Sequence, residues 1–143
     1  MREIKFKGRD ICTGEWIYGD LRQRAGCLPS IIRSFCNNGK LDYCETPIHR
    51  DSLGQFTGLY DKEENEIYEG DILYFTIFDY NDHDTQHKGV VSWSGCTCYV
   101  ECSEDEIYDL DWVCNQDCEI EIIGNIHDKP ISKVDKNRNK NGD

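Results

Sequence analysis

The chain has 143 residues and a net charge of −12, and 38% of its residues are hydrophobic. This length fits one domain, or two small halves that share a core. A chain this acidic repels phosphate backbones, which disfavours general nucleic-acid binding. The charge suits a basic protein partner, a divalent cation or simple solubility.

No segment reaches the run of about 18 apolar residues that a membrane span needs, and the first residues lack the apolar stretch of a secretory signal. Nine cysteines would suggest disulfides in a small secreted protein. Because the count is odd and no signal precedes them, we expect reduced thiols, several of them packed as small core residues. We therefore predict a cytoplasmic protein with no membrane association.

The first half of the chain alternates apolar and polar residues in short runs that predict two hairpins. The predicted strands are residues 4–6, 16–21, 30–35 and 41–46. A turn at residues 10–14 joins the first pair. Residues 37–39, Asn-Asn-Gly, join the second, since Asn and Gly tolerate positive φ at little cost. Residues 49–53 are predicted to form a single helical turn.

The second half is richer in β-branched and aromatic residues, which favour strands. Its predicted strands are residues 71–80, 89–93, 96–102 and 119–126. Residues 81–88 are predicted to be a polar loop, and residues 104–113 fit a short helix or a strand. Short strands with frequent turns are typical of a sandwich or barrel. We predict a mainly β fold: an SH3-like small β-barrel with additional N-terminal hairpins. Residues 129–143 are predicted to be a disordered basic tail.

A weak internal similarity relates the two halves. A shift of 51 positions aligns Asp10 with Asp61 and Gly19-Asp20 with Gly70-Asp71. Either the chain contains an internal duplication, or two hairpins follow similar rules. The sequence leaves both interpretations open.

Three separated motifs resemble the YopX family of bacteriophage and prophage proteins. The central one, residues 54–61 and 66–73, reads Gly-Gln-Phe-Thr-Gly-Leu-Tyr-Asp and then Glu-Ile-Tyr-Glu-Gly-Asp-Ile-Leu. The other two are Met-Arg-Glu-Ile-Lys-Phe at residues 1–6 and Ile-Ile-Gly-Asn-Ile-His at residues 122–127. The resemblance implies one β domain over residues 1–128, in which residues 1–53 form an N-terminal half and residues 54–128 a barrel. It implies a bacterial host cytoplasm but no activity, because most of the family is of unknown function.

The residues of the central motif have a structural explanation. Gly58 and Gly70 are expected at turns or bulges that side chains resist. Asp61 and Asp71 are expected to accept hydrogen bonds from nearby backbone amides. The large apolar residues around them are expected in the core: Phe56, Leu59, Tyr68 and Trp93.

Five late cysteines are the weak metal candidates: Cys96, Cys98, Cys102, Cys114 and Cys118. Structural zinc usually uses two tight Cys-x2-Cys pairs, and this spacing contains none. In a strand, Cys96, Cys98 and Cys102 would lie on one side. We favour a cysteine-lined core strand over a zinc site, and so expect no cofactor.

His83 and His87 are spaced as paired ligands on a helix would be, but their polar surroundings favour a solvated loop. No nucleophile motif and no phosphate-binding loop occurs. Loops and exposed aromatics carry much of protein recognition, so we nominate five binding residues. They are Tyr80, His83, His87, Tyr99 and Tyr108.

These observations favour a non-enzymatic protein-interaction module with a protein partner. One alternative is a nucleic-acid-linked accessory protein or DNA mimic. The other is a metal-binding module or enzyme, which requires the late cysteines to converge. Whether the chain forms a homo-oligomer stays open.

Overall fold

The computed structural model describes residues 3–78, 81, 83–116 and 118–128. These residues are mainly β, with two antiparallel sheets. The chain divides into two compact units at Phe56/Thr57, and the second unit runs through residue 128 of the described chain. The predicted basic tail and Tyr80 lie outside the described residues. The division at residue 53 that the sequence suggested stays a prediction.

The first unit consists of the two predicted hairpins and the start of a fifth strand. Its elements are β1 (Phe6–Arg9), β2 (Trp16–Arg22), β3 (Ser30–Asn37), β4 (Lys40–Pro47), a 3-10 turn (Arg50–Ser52) and β5 (Gly54–Tyr60), which continues into the second unit. The strands are hydrogen-bonded in the order β4-β3-β2-β1-β5. Both predicted hairpins and the helical turn are therefore confirmed.

A small core holds the first unit together. Ile17, Ile31 and Ile48 are buried in it. The buried Ser52 hydroxyl accepts a hydrogen bond from Arg9 N (2.8 Å) and donates one to His49 O (2.7 Å), which ties the 3-10 turn to β1. A buried polar group is stabilised when its hydrogen-bonding capacity is met in this way.

The β3–β4 hairpin extends beyond its neighbour. β3 pairs with β4 along eight positions, but with β2 only at Ser30–Ile32. Its turn contains Asn38 at φ 53° and Gly39 at φ 81°, the conformation that the Asn-Gly pair predicts. Tyr43 on this hairpin is 61% exposed.

The second unit contains a five-stranded sheet and one short helix. Its elements after β5 are β6 (Glu66–Tyr68), β7 (Asp71–Ile77), β8 (Thr85–Ser94), β9 (Thr97–Ser103), β10 (Glu106–Asp109), α1 (Leu110–Asn115) and β11 (Glu121–Asn125). The sheet has the order β10-β9-β8-β7-β11, and β6 pairs with β5. The segment 104–113, which fits either structure by sequence, forms a strand and then a helix.

The sheet of the second unit is open in the described chain. Its edge strands β10 and β11 do not pair with each other, and the chain passes from β10 directly into α1. Leu110 and Val113 of α1 are fully buried. The mainly β prediction is confirmed, whereas the closed SH3-like barrel is not.

The core of the second unit lies on one face of this sheet, which we call the inner face. Its buried members are Ile67, Leu73, Phe75, Val91, Val100, Leu110, Val113, Cys118 and Ile120. No helix within the described residues has the length and hydrophobicity needed to cross a membrane.

The expectations for the central motif are confirmed at its glycines and aspartates. Gly58 and Gly70 have φ values of 87° and 91°. Asp61 Oδ1 accepts hydrogen bonds from the backbone of Glu63 (2.9 Å) and Asn65 (2.8 Å). Burial alone would raise the pKa of Asp61, but the hydrogen bonds from Asn65 and Glu63 outweigh it and lower that pKa.

The internal similarity has a structural counterpart at one position and lacks it at another. Asp10 Oδ1 accepts from Cys12 N (2.8 Å), as Asp61 does from the residue two positions ahead. Gly19, however, lies inside β2, whereas Gly70 occupies the turn before β7. The duplication stays a prediction.

Candidate functional site

Four polar side chains meet on three neighbouring strands of the second unit. We call them the His87 cluster: His87 from β8, Cys102 from β9, and Glu106 and Tyr108 from β10. One donor atom each from His87, Cys102 and Glu106 lies within 4.8 Å of the other two. All are partly buried. The strand order β10-β9-β8 is what brings them together.

The backbone around Cys102 is adapted to this arrangement. β9 and β10 pair with a register shift between Glu106 and Ile107, so Cys102 lies opposite no residue of β10. Such a bulge re-aims side chains locally. On β8, a Cβ added to Gly89 would lie 2.9 Å from the Cys102 sulfur. Glycine at position 89 therefore allows the thiol to approach β8 closely.

The imidazole of His87 is held on several sides. It stacks on Phe75 of β7, with ring centroids 5.4 Å apart, and meets the edge of Tyr108 at 5.3 Å. Its Nε2 lies 2.8 Å from Thr85 Oγ1, and its Nδ1 lies 3.1 Å from Glu106 Oε2. The ring has little freedom to change its orientation.

Glu106 links the cluster. Tyr108 donates its hydroxyl to Glu106 Oε2 at 2.9 Å. Burial and then this hydrogen bond raise the pKa of Tyr108 to about 12. Burial, followed by the charge of Glu106, also raises the pKa of the Cys102 thiol. A catalytic cysteine needs the opposite shift.

The helix after β10 supports Tyr108. Asp109 caps α1, its Oδ1 accepting from Asp111 N (2.9 Å) and Trp112 N (3.4 Å). Trp112 then stacks on Tyr108 with ring centroids 6.2 Å apart. The N-cap therefore places a second aromatic ring behind the cluster.

The predicted histidine loop is partly wrong. β8 begins at Thr85, so His87 is a half-buried strand residue, and the loop prediction fails from residue 85 onward. His83 is exposed and is not part of the cluster. The strand begins earlier than predicted because residues 85–88 pair with residues 74–77 of β7, a pairing that the local composition does not reveal.

The five late cysteines do not form one metal-binding group among the described residues. Cys96 is exposed in the turn before β9, so the prediction that it shares a strand face with Cys98 and Cys102 is wrong. Cys98 and Cys102 do pack against the core from β9. Among the described residues, Cys102 alone of the five belongs to a group of three donors able to hold a metal.

Cys114 in α1 provides a test of burial. Burial, then the charges of Asp111 and Cys118, raise its pKa to about 12 from an ordinary value of 9.0. The folded protein holds the thiol proton more tightly than the unfolded chain does. This contribution to stability is fully present below pH 9, the ordinary pKa, and is lost as the pH rises through about 12, the pKa in the fold. We expect the stability difference between wild type and Cys114→Ala to shrink from pH 8 to pH 11. Urea unfolding of both proteins measures it, and an unchanged difference would contradict the assignment.

The opposite face of the sheet, here called the outer face, is less covered. Register places five half-buried or exposed apolar residues on it: Ile72, Tyr74, Val90, Tyr99 and Ile107. Ile107, Glu101, Val90 and Ile72 form one row across four strands. Of the nominated binding residues, Tyr99 is on this face, while Tyr108 and His87 belong to the cluster.

Two open antiparallel sheets and a short helix define the class: a small, mainly β protein without a closed barrel among its described residues. The chain belongs to the YopX family, whose profile, described as YopX protein, matches residues 5–131. This confirms the resemblance found in the sequence.

The fold also occurs in a solved structure. The chain is similar to the crystal structure of protein EF1440 from Enterococcus faecalis, with a TM-score of 0.54 and 19% sequence identity. The similarity covers 91% of this chain and 97% of that one. No curated protein matches the sequence.

Proposed function

We propose that this YopX-family chain is a phage or prophage protein of the bacterial cytoplasm, and a non-enzymatic protein-interaction module. Its partner is a basic protein that docks on the outer face of the second unit. One observation carries the proposal: a sheet face with five half-buried or exposed apolar residues lies within a unit of very high negative charge.

The charge is segregated along the chain. Residues 57–129 contain 19 acidic and three basic residues, a net charge of −16, whereas residues 1–56 carry +2. Among the described residues of the second unit, 11 carboxylate residues and two lysines are exposed. Such a surface attracts a basic partner at long range and accelerates its association.

The apolar residues on the outer face would supply the short-range binding energy that long-range charge attraction does not. Binding energy at interfaces concentrates in a few large side chains, often aromatic, surrounded by polar residues. Tyr99 and Ile107 fit this role: Ile107 is 54% exposed, and Asp109 and Glu101 are their cross-strand neighbours. An apolar centre with an acidic border complements a basic surface that carries apolar side chains.

The His87 cluster supports a non-enzymatic role. Nucleophilic catalysis requires a histidine nitrogen that accepts the nucleophile's proton. Both ring nitrogens of His87 lie beside oxygen atoms, those of Thr85 and Glu106. Among the described residues neither nitrogen forms a hydrogen bond with the Cys102 sulfur, so the arrangement favours a held imidazole over a general base for Cys102.

A pull-down with matched variants tests the proposal. Tagged protein is incubated with nuclease-treated lysate of the host bacterium, and bound proteins are identified by mass spectrometry. We expect one stoichiometric basic protein. Tyr99→Ala and Glu101→Lys should each weaken its binding by at least about tenfold, as expected for a central aromatic and an acidic neighbour. Raising the salt from about 50 to about 500 mM should weaken binding as well.

Tyr43→Ala is the matched control, because Tyr43 is 61% exposed but lies in the first unit. It should retain the partner. Loss of the partner with Tyr43→Ala, and retention with Tyr99→Ala, would move the interface to the β3–β4 hairpin. Absence of any specific partner would contradict the interaction module itself.

The same acidity favours a second candidate, a DNA mimic that occupies a DNA-binding protein. Carboxylates on a rigid sheet can take the place of phosphates at a basic surface. Competition distinguishes the two candidates. If the chain is a DNA mimic, added duplex DNA should displace the partner, because both bind the partner's DNA site. If the partner binds through another surface, added DNA should have no effect.

A further inference from the structure

We propose that His87, Cys102 and Glu106 form a zinc-binding site. Their donor atoms lie within 4.8 Å of one another, and they come from three adjacent strands of one sheet. This site is distinct from the cysteine set that the sequence suggested, since it uses one cysteine, one histidine and one carboxylate. It is independent of the proposed partner surface.

The donor set selects the metal. Zinc binds thiolate, imidazole and carboxylate ligands, usually four in tetrahedral geometry, or three with an open position for water. A thiolate and an imidazole disfavour magnesium and calcium, which prefer oxygen ligands. With three protein donors, the fourth position remains for a water molecule or another ligand.

The surroundings orient the donors as metal sites require. A ligating histidine commonly donates its other N–H to a nearby oxygen, which fixes its tautomer and orientation. Thr85 Oγ1, 2.8 Å from His87 Nε2, is placed to accept that hydrogen. The other nitrogen, Nδ1, is then the one on the Glu106 side. Tyr108 likewise donates to Glu106 Oε2 and orients the carboxylate.

The local backbone also favours convergence. The register shift leaves Cys102 without a partner on β10, and Gly89 permits its sulfur to lie against β8. Phe75 and Tyr108 flank the imidazole, so apolar rings surround one side of the site. Partial exclusion of water strengthens the attraction between a cation and its charged ligands.

The test uses the full chain with its four exposed cysteines, Cys12, Cys27, Cys36 and Cys96, replaced by serine, so that they cannot bind metal. The reduced protein is titrated with zinc against a chromophoric chelator. Cobalt is then substituted, and the thiolate-to-cobalt absorption band is recorded. We expect one zinc per chain and a cobalt band that reports a single thiolate.

Three ligand variants and two controls complete the experiment. Because loss of supporting residues alone costs about 10- to 100-fold in affinity, Cys102→Ser and His87→Gln should each lose at least about 100-fold. Glu106→Gln should lose about 10-fold or more, and it is the variant expected to fold without difficulty, since the Glu106 side chain is 41% exposed. Cys98→Ser and His83→Gln should bind zinc as the parent does.

Zinc far below one equivalent in the parent protein would overturn the site. So would zinc binding that survives Cys102→Ser or Glu106→Gln unchanged, since the metal would then be held elsewhere. Circular dichroism of each variant separates loss of metal from loss of fold. If Cys102→Ser does not fold, the Glu106→Gln titration decides the question.

Discussion

We expect Asp71→Ala to lower the free energy of unfolding by about 2–5 kcal/mol, because it removes the acceptor of two buried hydrogen bonds. Asp71 is 2% exposed. Its Oδ2 accepts from Tyr68 N (2.8 Å) and its Oδ1 from Asn125 Nδ2 (2.9 Å). These bonds connect the turn before β7 to the end of β11. Urea unfolding monitored by tryptophan fluorescence measures the loss.

The neighbouring geometry sharpens this prediction. Asn125 Oδ1 accepts a hydrogen bond from His127 N at 2.9 Å, so the side-chain amide of Asn125 cannot rotate by about 180° without losing that bond. Asp71→Asn would place one amide donor against another and should fall between wild type and Asp71→Ala. Asp105→Ala is the control: it removes the same charge from an exposed position and should cost less than about 0.5 kcal/mol. Equal effects of the Asp71 and Asp105 variants would show that charge, not hydrogen bonding, matters.

The second large effect is expected for Phe75→Ala, at about 3–5 kcal/mol. Phe75 is fully buried, stacks on His87 and meets the edge of Tyr108 with ring centroids 5.9 Å apart. Removing the ring deletes buried apolar contacts and leaves a cavity beside the His87 cluster. Thermal and urea unfolding measure the loss.

Phe78→Ala provides a matched comparison, because Phe78 follows the same strand but is 51% exposed. It should cost less than about 1 kcal/mol, since little buried surface is lost. Phe75→Leu should fall between the two, because it keeps much of the volume but loses the stack. Similar losses for Phe75→Ala and Phe78→Ala would contradict the packing described for Phe75.

Local signals predicted much of the fold. Alternating residues and the Asn-Gly turn predicted both hairpins of the first unit, since these depend on neighbours in sequence. Gly58 and Gly70 were expected at turns or bulges for the same reason, and both have a positive φ, which is a property of the local backbone. The open edges of the five-stranded sheet could not be predicted from local signals. Whether β10 and β11 pair with each other depends on strand order, which is decided by contacts distant in sequence.

The candidate site was likewise predicted only in part from the sequence. His87, Cys102 and Tyr108 were selected from the sequence, but for separate reasons and in separate roles. Glu106 was missed, because nothing in its surroundings distinguishes it from the other acidic residues of that segment. Two long-range features shape the cluster: the register shift between β9 and β10 occurs directly after Glu106, and the absence of a side chain at Gly89 leaves room for the Cys102 sulfur.

The sequence by itself determined the family, the mainly β character, the reverse turns and the strong negative charge. All four follow from local sequence patterns or from composition, and neither depends on tertiary contacts. Three properties were decided only by the tertiary structure. Within the described residues, the edge strands of the five-stranded sheet do not pair with each other, His87 lies in a strand, and the donor atoms of His87, Cys102 and Glu106 come together. Those properties depend on strand order and register, and a shift of one residue would turn each side chain to the other face.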